Sequence, residues 1–204
     1  MCMEINSTTK NETQTGFALL MTLIVVGAVV AIGVSVLDLS LKQVRLSTNA
    51  KDSEIAFHAA NAGMECARYV RRVEANKMEQ GSGITPNCFT GTVIQDPVVA
   101  LNVTNGVTPA NGEAFVYKYA ITWQGGQRCS EVTALVASST ISGTGLTITG
   151  MEGRNGLVPG YPDGNIKTCN QGERCTVLSV RGYNKPCGSV TEYGTVQREV
   201  LLQF

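Results

Sequence analysis

Seven cysteines carry most of the reactive chemistry in this sequence: Cys2, Cys66, Cys88, Cys129, Cys169, Cys175 and Cys187. Zinc needs close pairs of thiolates or imidazoles. No C-x-x-C pair exists and His58 is the single histidine, so metal binding is the weaker reading and no metal or cofactor is expected. Setting Cys2 aside leaves six, an even set that reads as disulfides formed in an oxidising compartment. Six cysteines allow 15 pairings. Proximity favours Cys169 with Cys175, a helix-to-loop staple favours Cys66 with Cys88, and a strand-to-tail clamp favours Cys129 with Cys187. A nucleophile–base pair would have to be built on His58, whose neighbours Phe57 and Ala59 suggest a helix surface instead. Asp96, Glu152 and Asp163 fall in loop-like stretches, where carboxylates are ordinarily just solvated. Asp163-Gly-Asn165 lacks the closing glutamate of a calcium loop. The Gly-rich stretch 143–164 lacks the lysine of a phosphate loop. Asn102-Val-Thr104 matches a glycosylation sequon, a pattern frequent by chance. The expectation is therefore not an enzyme.

The elements that position these cysteines begin with an apolar run, FALLMTLIVVGAVVAIGVSVL, at residues 17–37. No charge lies between Glu12 and Asp38. As a helix this run is roughly 31 Å long, close to the ~30 Å hydrocarbon thickness of a bilayer. It is apolar all round rather than striped, which points to a membrane span. Residues 1–16 form a polar leader without the basic end of a secretory signal, and no A-x-A cleavage pattern follows Leu37. Flanking charge leans towards an outside N-terminus. The six distal cysteines argue for an outside C-terminal domain, and they weigh more because the charge difference is small. Sixteen basic residues balance 16 acidic ones, and no basic patch stands out after residue 77, so no nucleic-acid partner is expected.

From Asp38 to about Lys77 no proline occurs. Apolar residues at Leu37, Leu41, Val44, Ile55, Ala59, Ala62, Cys66, Val70 and Val73 fall at spacings that suggest a stripe on a continued helix. Unbroken from 17 to 76, that helix is about 90 Å long. Gly81-Ser-Gly83 ends it, and residues 81–113 read as loop. Strict alternation then predicts a strand at 114–123 and a hairpin partner at 129–138. Residues 146–149, 175–181 and 195–204 complete the predicted strands. The Gly-rich 150–174 stretch reads as a surface loop. The organisation expected is a leader (1–16), a transmembrane helix (17–37), its amphipathic continuation (38–77) and a disulfide-stapled β domain (78–204).

Gly16 followed by Phe17-Ala-Leu-Leu, an unbroken apolar run and no later cleavage site resembles the class III signal of type IV pilins. Ala56-Phe57-His58-Ala59-Ala60-Asn61-Ala62-Gly63-Met64-Glu65 is similar to the A-F-x-A-A-x-A-G-x-E segment of PilX-type minor pilins. Arg181-Gly-Tyr-Asn-Lys-Pro-Cys187, with Arg198-Glu199 and the apolar ending, is similar to the tail of a bacterial subset of them. The resemblance implies an α+β fold in which a long N-terminal helix, its first half transmembrane, packs on a small antiparallel sheet. It implies cleavage between Gly16 and Phe17 by a prepilin peptidase and N-methylation of Phe17. It also implies residence in lipid at the bacterial inner membrane, with the C-terminal domain outside. Other pilin subunits would then be its partners through the helix in an extracellular pilus. Two positions depart from the pattern. Gln14 and Thr15 stand where leaders usually carry a basic residue, and Met21 stands where major pilins carry glutamate. A minor pilin subunit is the reading that fits these residues. A secretion-system pseudopilin and a signal-anchored adhesive surface protein are the alternatives.

Overall fold

A computed structural model describes residues 14–88, 93–152, 156–162 and 164–204. The expected leader up to residue 13, Cys2 and Asp163 lie outside the described residues. The chain divides into two compact units, 1–48 and 49–204.

The first unit is helix. Helix α1, Gln14–Val73, begins here and runs on into the second unit. Every side chain from Gly16 to residue 48 is exposed. Four hydroxyls of this segment turn back onto their own helix: Thr22 to the Leu19 carbonyl at 2.9 Å, and Ser35, Ser40 and Thr48 to the carbonyls of Ala31, Val36 and Val44 at 2.9–3.0 Å. Within residues 17–37 the polar side chains are Thr22 and Ser35, both internally bonded, so this exposed surface suits hydrocarbon surroundings.

The second unit is three layers. Residues 49–73 of α1 lie on one face of an antiparallel sheet, and a two-stranded sheet covers part of the other face. The main sheet runs β1 (Val93–Gln95), β3 (Gly112–Trp123), β4 (Arg128–Ser139), β7 (Arg174–Tyr183), β8 (Gln197–Gln203), with β2 (Val99–Ala100) also on β3. The small sheet pairs β5 (Leu146–Thr149) with β6 (Ile166–Cys169). Alternation along β3 and β4 sorts the side chains. Tyr117, Tyr119 and Ile121 join Val132, Ala134, Leu178, Val180, Met64, Ala67 and Val70 in the core under the helix. Val116, Leu135 and Val177 join Leu146, Ile148, Met151 and Val158 in the core under the small sheet.

Three parts of the sequence reading need correction. The buried face of α1 is centred on Ala56, Ala60, Gly63, Met64, Ala67, Val70 and Arg71, while Ile55 and Ala62 are only half-buried and Val73 is exposed. Residue size sets this phase. A Cβ on Gly63 would stand 2.7 Å from Val180 Cγ1 and 2.8 Å from Ser130 Cβ. On the sheet side, the backbone of Ala56 and Ala60 fills the place that a Cβ on Gly182 would take. Alanine and glycine on both surfaces let helix and sheet approach closely, so the stripe follows small residues rather than the most apolar ones. The helix also stops sooner than Lys77: α1 ends at Val73, Glu74 leaves helical geometry at φ −100°, ψ 22°, and a short α2 follows at Ala75–Glu79. Finally, 81–113 and 150–174 are not simple loops. β1 and β2 form in the first, β6 forms in the second, and Met151, Val158 and Tyr161 are buried under it. Isolated apolar residues among glycines and prolines carry no periodicity, which is why the pattern missed them.

Candidate functional site

The feature that asks for a partner is the first unit. Helix α1 is long and apolar enough to cross a membrane, and its most apolar window makes no burying contact in this structure. Phe17 is 64% exposed and Met21 48%. Gly16 and Phe17, the expected cleavage junction, both lie within α1. Nothing approaches a Cβ built on Gly16, Gly27 or Gly33 within 4 Å, so each leaves room for a neighbouring helix to come close.

The second unit holds all six distal cysteines, and the structure joins them in three bonds. Cys66 on α1 bonds Cys88 in the segment after α2, with Cα atoms 5.6 Å apart. Cys129 at the start of β4 bonds Cys187 in the turn before β8, at 4.8 Å. Cys169 at the end of β6 bonds Cys175 on β7, at 6.0 Å. The first two bonds each tie a stretch outside the helices and strands to a regular element, and the third joins β6 to β7. Helix, hairpin and small sheet are each anchored once. A domain built this way resists local opening.

The groups first considered for catalysis are not assembled. His58 is exposed on α1, with Nε2 3.6 Å from Glu54 Oε1 one turn earlier, a surface pair. Asp96 and Glu152 are exposed. No group of three or more candidate metal ligands occurs among the described residues. Asn102 is exposed and its Oδ1 accepts a 3.0 Å bond from the Thr104 amide, capping a turn at Val103–Asn105.

The polar groups that the structure does bring together serve the helix–sheet contact. Ser130 Oγ accepts from Trp123 Nε1 and donates to the Ala59 carbonyl, both at 2.6 Å, so it links the β3–β4 hairpin to α1. Arg71 is buried and donates from Nε to Thr176 Oγ1 on β7 at 3.0 Å and from Nη2 to Glu79 Oε1 at 2.8 Å. Glu79 Oε2 lies 3.3 Å from Arg174 Nη1. The Tyr117 hydroxyl stands 3.1 Å from the carbonyls of Met78 and Ser82, holding the end of α2. Burial raises its pKa, against the lowering effect of the Arg71 charge. Burial also raises Tyr119 and Tyr183 well above the usual phenol range, and the hydrogen bond and charge of Glu131 push Tyr183 further. These phenols stay protonated, and those of Tyr117 and Tyr183 act as donors. The sequence reading sets Arg71 off the apolar stripe, whereas the structure buries it, and its register explains why. It sits one and two turns beyond Ala67 and Gly63 on the same small-residue face, where a charge needs a partner.

Comparison of the chain with protein-family models, curated proteins and solved structures finds no match.

Proposed function

We propose that this chain is a minor type IV pilin-like subunit. A prepilin peptidase would cut it between Gly16 and Phe17, and its apolar helix would serve first as a membrane anchor and then as a filament core. The observation that carries this reading is the combination, in one polypeptide, of an all-round exposed apolar helix with a disulfide-bonded domain into which the same helix continues. A helix with no polar face meets similar surroundings in lipid and among like helices. Passage between the two costs little compared with passage into water. The three disulfides support an extracytoplasmic position for the second unit. The helix–sheet packing through Ala56, Ala60, Gly63 and Gly182 supports the pilin-like layout. A pseudopilin would use the same architecture in a secretion machine.

Met21 favours one further reading, a signal-anchored surface protein that never polymerises, because it supplies no charge to dock the helix on a neighbour's amino group. The test of the pilin reading is Gly16→Leu, expressed with a prepilin peptidase. The expected result is that the substituted chain stays unprocessed while the parent is cut. Equal processing of both removes the basis for the assignment.

A further inference from the structure

Four of the chain's nine arginines converge on one open groove in the second unit. Arg68, Arg71, Arg72 and Arg174 line it together with Glu79, and Ala75, Leu202 and Phe204 give it an apolar side. Its volume is about 570 Å³. Glu79 is the single side-chain carboxylate among these lining residues, with the α-carboxylate of Phe204 as the second anion against four guanidiniums. Both Glu79 oxygens are taken, one by Arg71 at 2.8 Å and one by Arg174 at 3.3 Å. Arg68 shares one Nη1 with Glu65 at 3.0 Å. Arg72 is exposed and makes no ion pair or hydrogen bond among the described residues. The groove therefore keeps an excess of positive charge. Its deepest guanidinium, Arg71, is held in place on two sides by Thr176 and Glu79, so it needs no reordering to receive a ligand.

We propose that this groove binds a phosphate monoester, its oxyanion between Arg72, Arg174 and Arg68 and its organic part on Leu202 and Phe204. Guanidinium forks match the geometry of phosphate oxygens and bond them more strongly than neutral donors do. A bare anion would use the arginines alone and leave the apolar side unused. An uncharged alkyl compound would leave Arg72 without a partner. The ester uses both halves of the lining. The site lies wholly in the second unit and does not depend on how the N-terminal helix is processed or packed.

The test uses the full-length chain in a nonionic maltoside detergent at low ionic strength, where exposed charges are least screened. Binding of hexyl phosphate, inorganic phosphate and hexanol is followed by isothermal titration calorimetry. Hexyl phosphate is expected to bind, inorganic phosphate to bind at least tenfold more weakly, and hexanol not to bind. Arg72→Gln is expected to weaken hexyl phosphate by about tenfold, the value of one lost charge-assisted hydrogen bond. Arg72→Lys is expected to restore part of the loss. Because Arg72 has no partner to lose, its substitutions leave the fold intact, which unchanged far-ultraviolet circular dichroism verifies. Equal binding of hexyl phosphate by the parent and Arg72→Gln overturns the proposal, as does absence of binding by the parent. Equal affinities for hexyl phosphate and inorganic phosphate overturn the role given to Leu202 and Phe204.

Discussion

Replacing Gly63 by alanine sets two physical effects against each other. In a helix interior, alanine is favoured over glycine by about 1 kcal/mol. At Gly63 the new methyl would stand 2.7 Å from Val180 Cγ1 and 2.8 Å from Ser130 Cβ, well inside the roughly 3.5 Å at which carbon atoms attract. Neither neighbour yields easily. Val180 is fully buried, and Ser130 Oγ is bonded both to Trp123 Nε1 and to the Ala59 carbonyl. The helix would have to lift from the sheet, and overpacking of this kind costs about 1–3 kcal/mol, occasionally more. With neither neighbour able to yield, the clash outweighs the propensity, giving a net loss of up to about 2 kcal/mol. For a domain of this size the loss lowers Tm by up to roughly 8 °C. Gly182→Ala meets backbone at Ala56 and Ala60 instead of side chains, so its loss is larger, about 3 kcal/mol. Gly33→Ala, with nothing within 4 Å of the added carbon, is the control and loses nothing. The assay is thermal unfolding of the full chain in detergent, disulfides intact, read by near-ultraviolet circular dichroism. A rise in Tm for Gly63→Ala would refute the close-packed contact.

The disulfides, the tyrosines and the buried arginine yield further expectations. On loop-closure entropy, with sequence separations of 58, 22 and 6, removing Cys129–Cys187, Cys66–Cys88 or Cys169–Cys175 by paired serine substitution costs about 4, 3 and 2 kcal/mol respectively. Denaturant titration of the three variants checks that order. Tyr119 Oη is buried with no hydrogen-bond partner among the described residues, so Tyr119→Phe is neutral or stabilises by up to about 1 kcal/mol. Tyr117→Phe, which loses the Met78 and Ser82 carbonyls, destabilises by about 1 kcal/mol. The raised phenols also fix an alkaline limit. The unfolded chain loses these protons first, near pH 10. Their contribution is complete below that pH and is lost as pH rises towards the folded values, which a pH series of unfolding curves reads directly. Glu79→Gln leaves the buried Arg71 without its anion and costs about 3 kcal/mol, measured by the same unfolding curves.

The main hairpin was legible because Phe115 to Trp123 sets large apolar residues at every second position, the alternation a strand writes into sequence. The helix was legible as a helix, but its buried phase was not. Apolarity pointed to Ile55, Ala62 and Val73, whereas the contact selects for small size at Ala56, Ala60 and Gly63. Small size is selected on the sheet side too, at Gly182. It lies just past the predicted strand 175–181, yet it stands inside β7, where the helix crosses. β1, β2 and β6 are two to four residues long, too short for any period to register. The Arg71–Glu79–Thr176 cluster joins residues up to 105 positions apart, and no local pattern announces such a contact. The groove built around it emerges only from the packing.

The central claim is that residues 17–37 are a retained handle cut at its front. The most direct test is the intact mass and N-terminal fragmentation of the protein isolated from its own membranes. The account predicts a chain beginning at N-methyl-Phe17. A chain still carrying Met1, or one cut after Leu37, would contradict it.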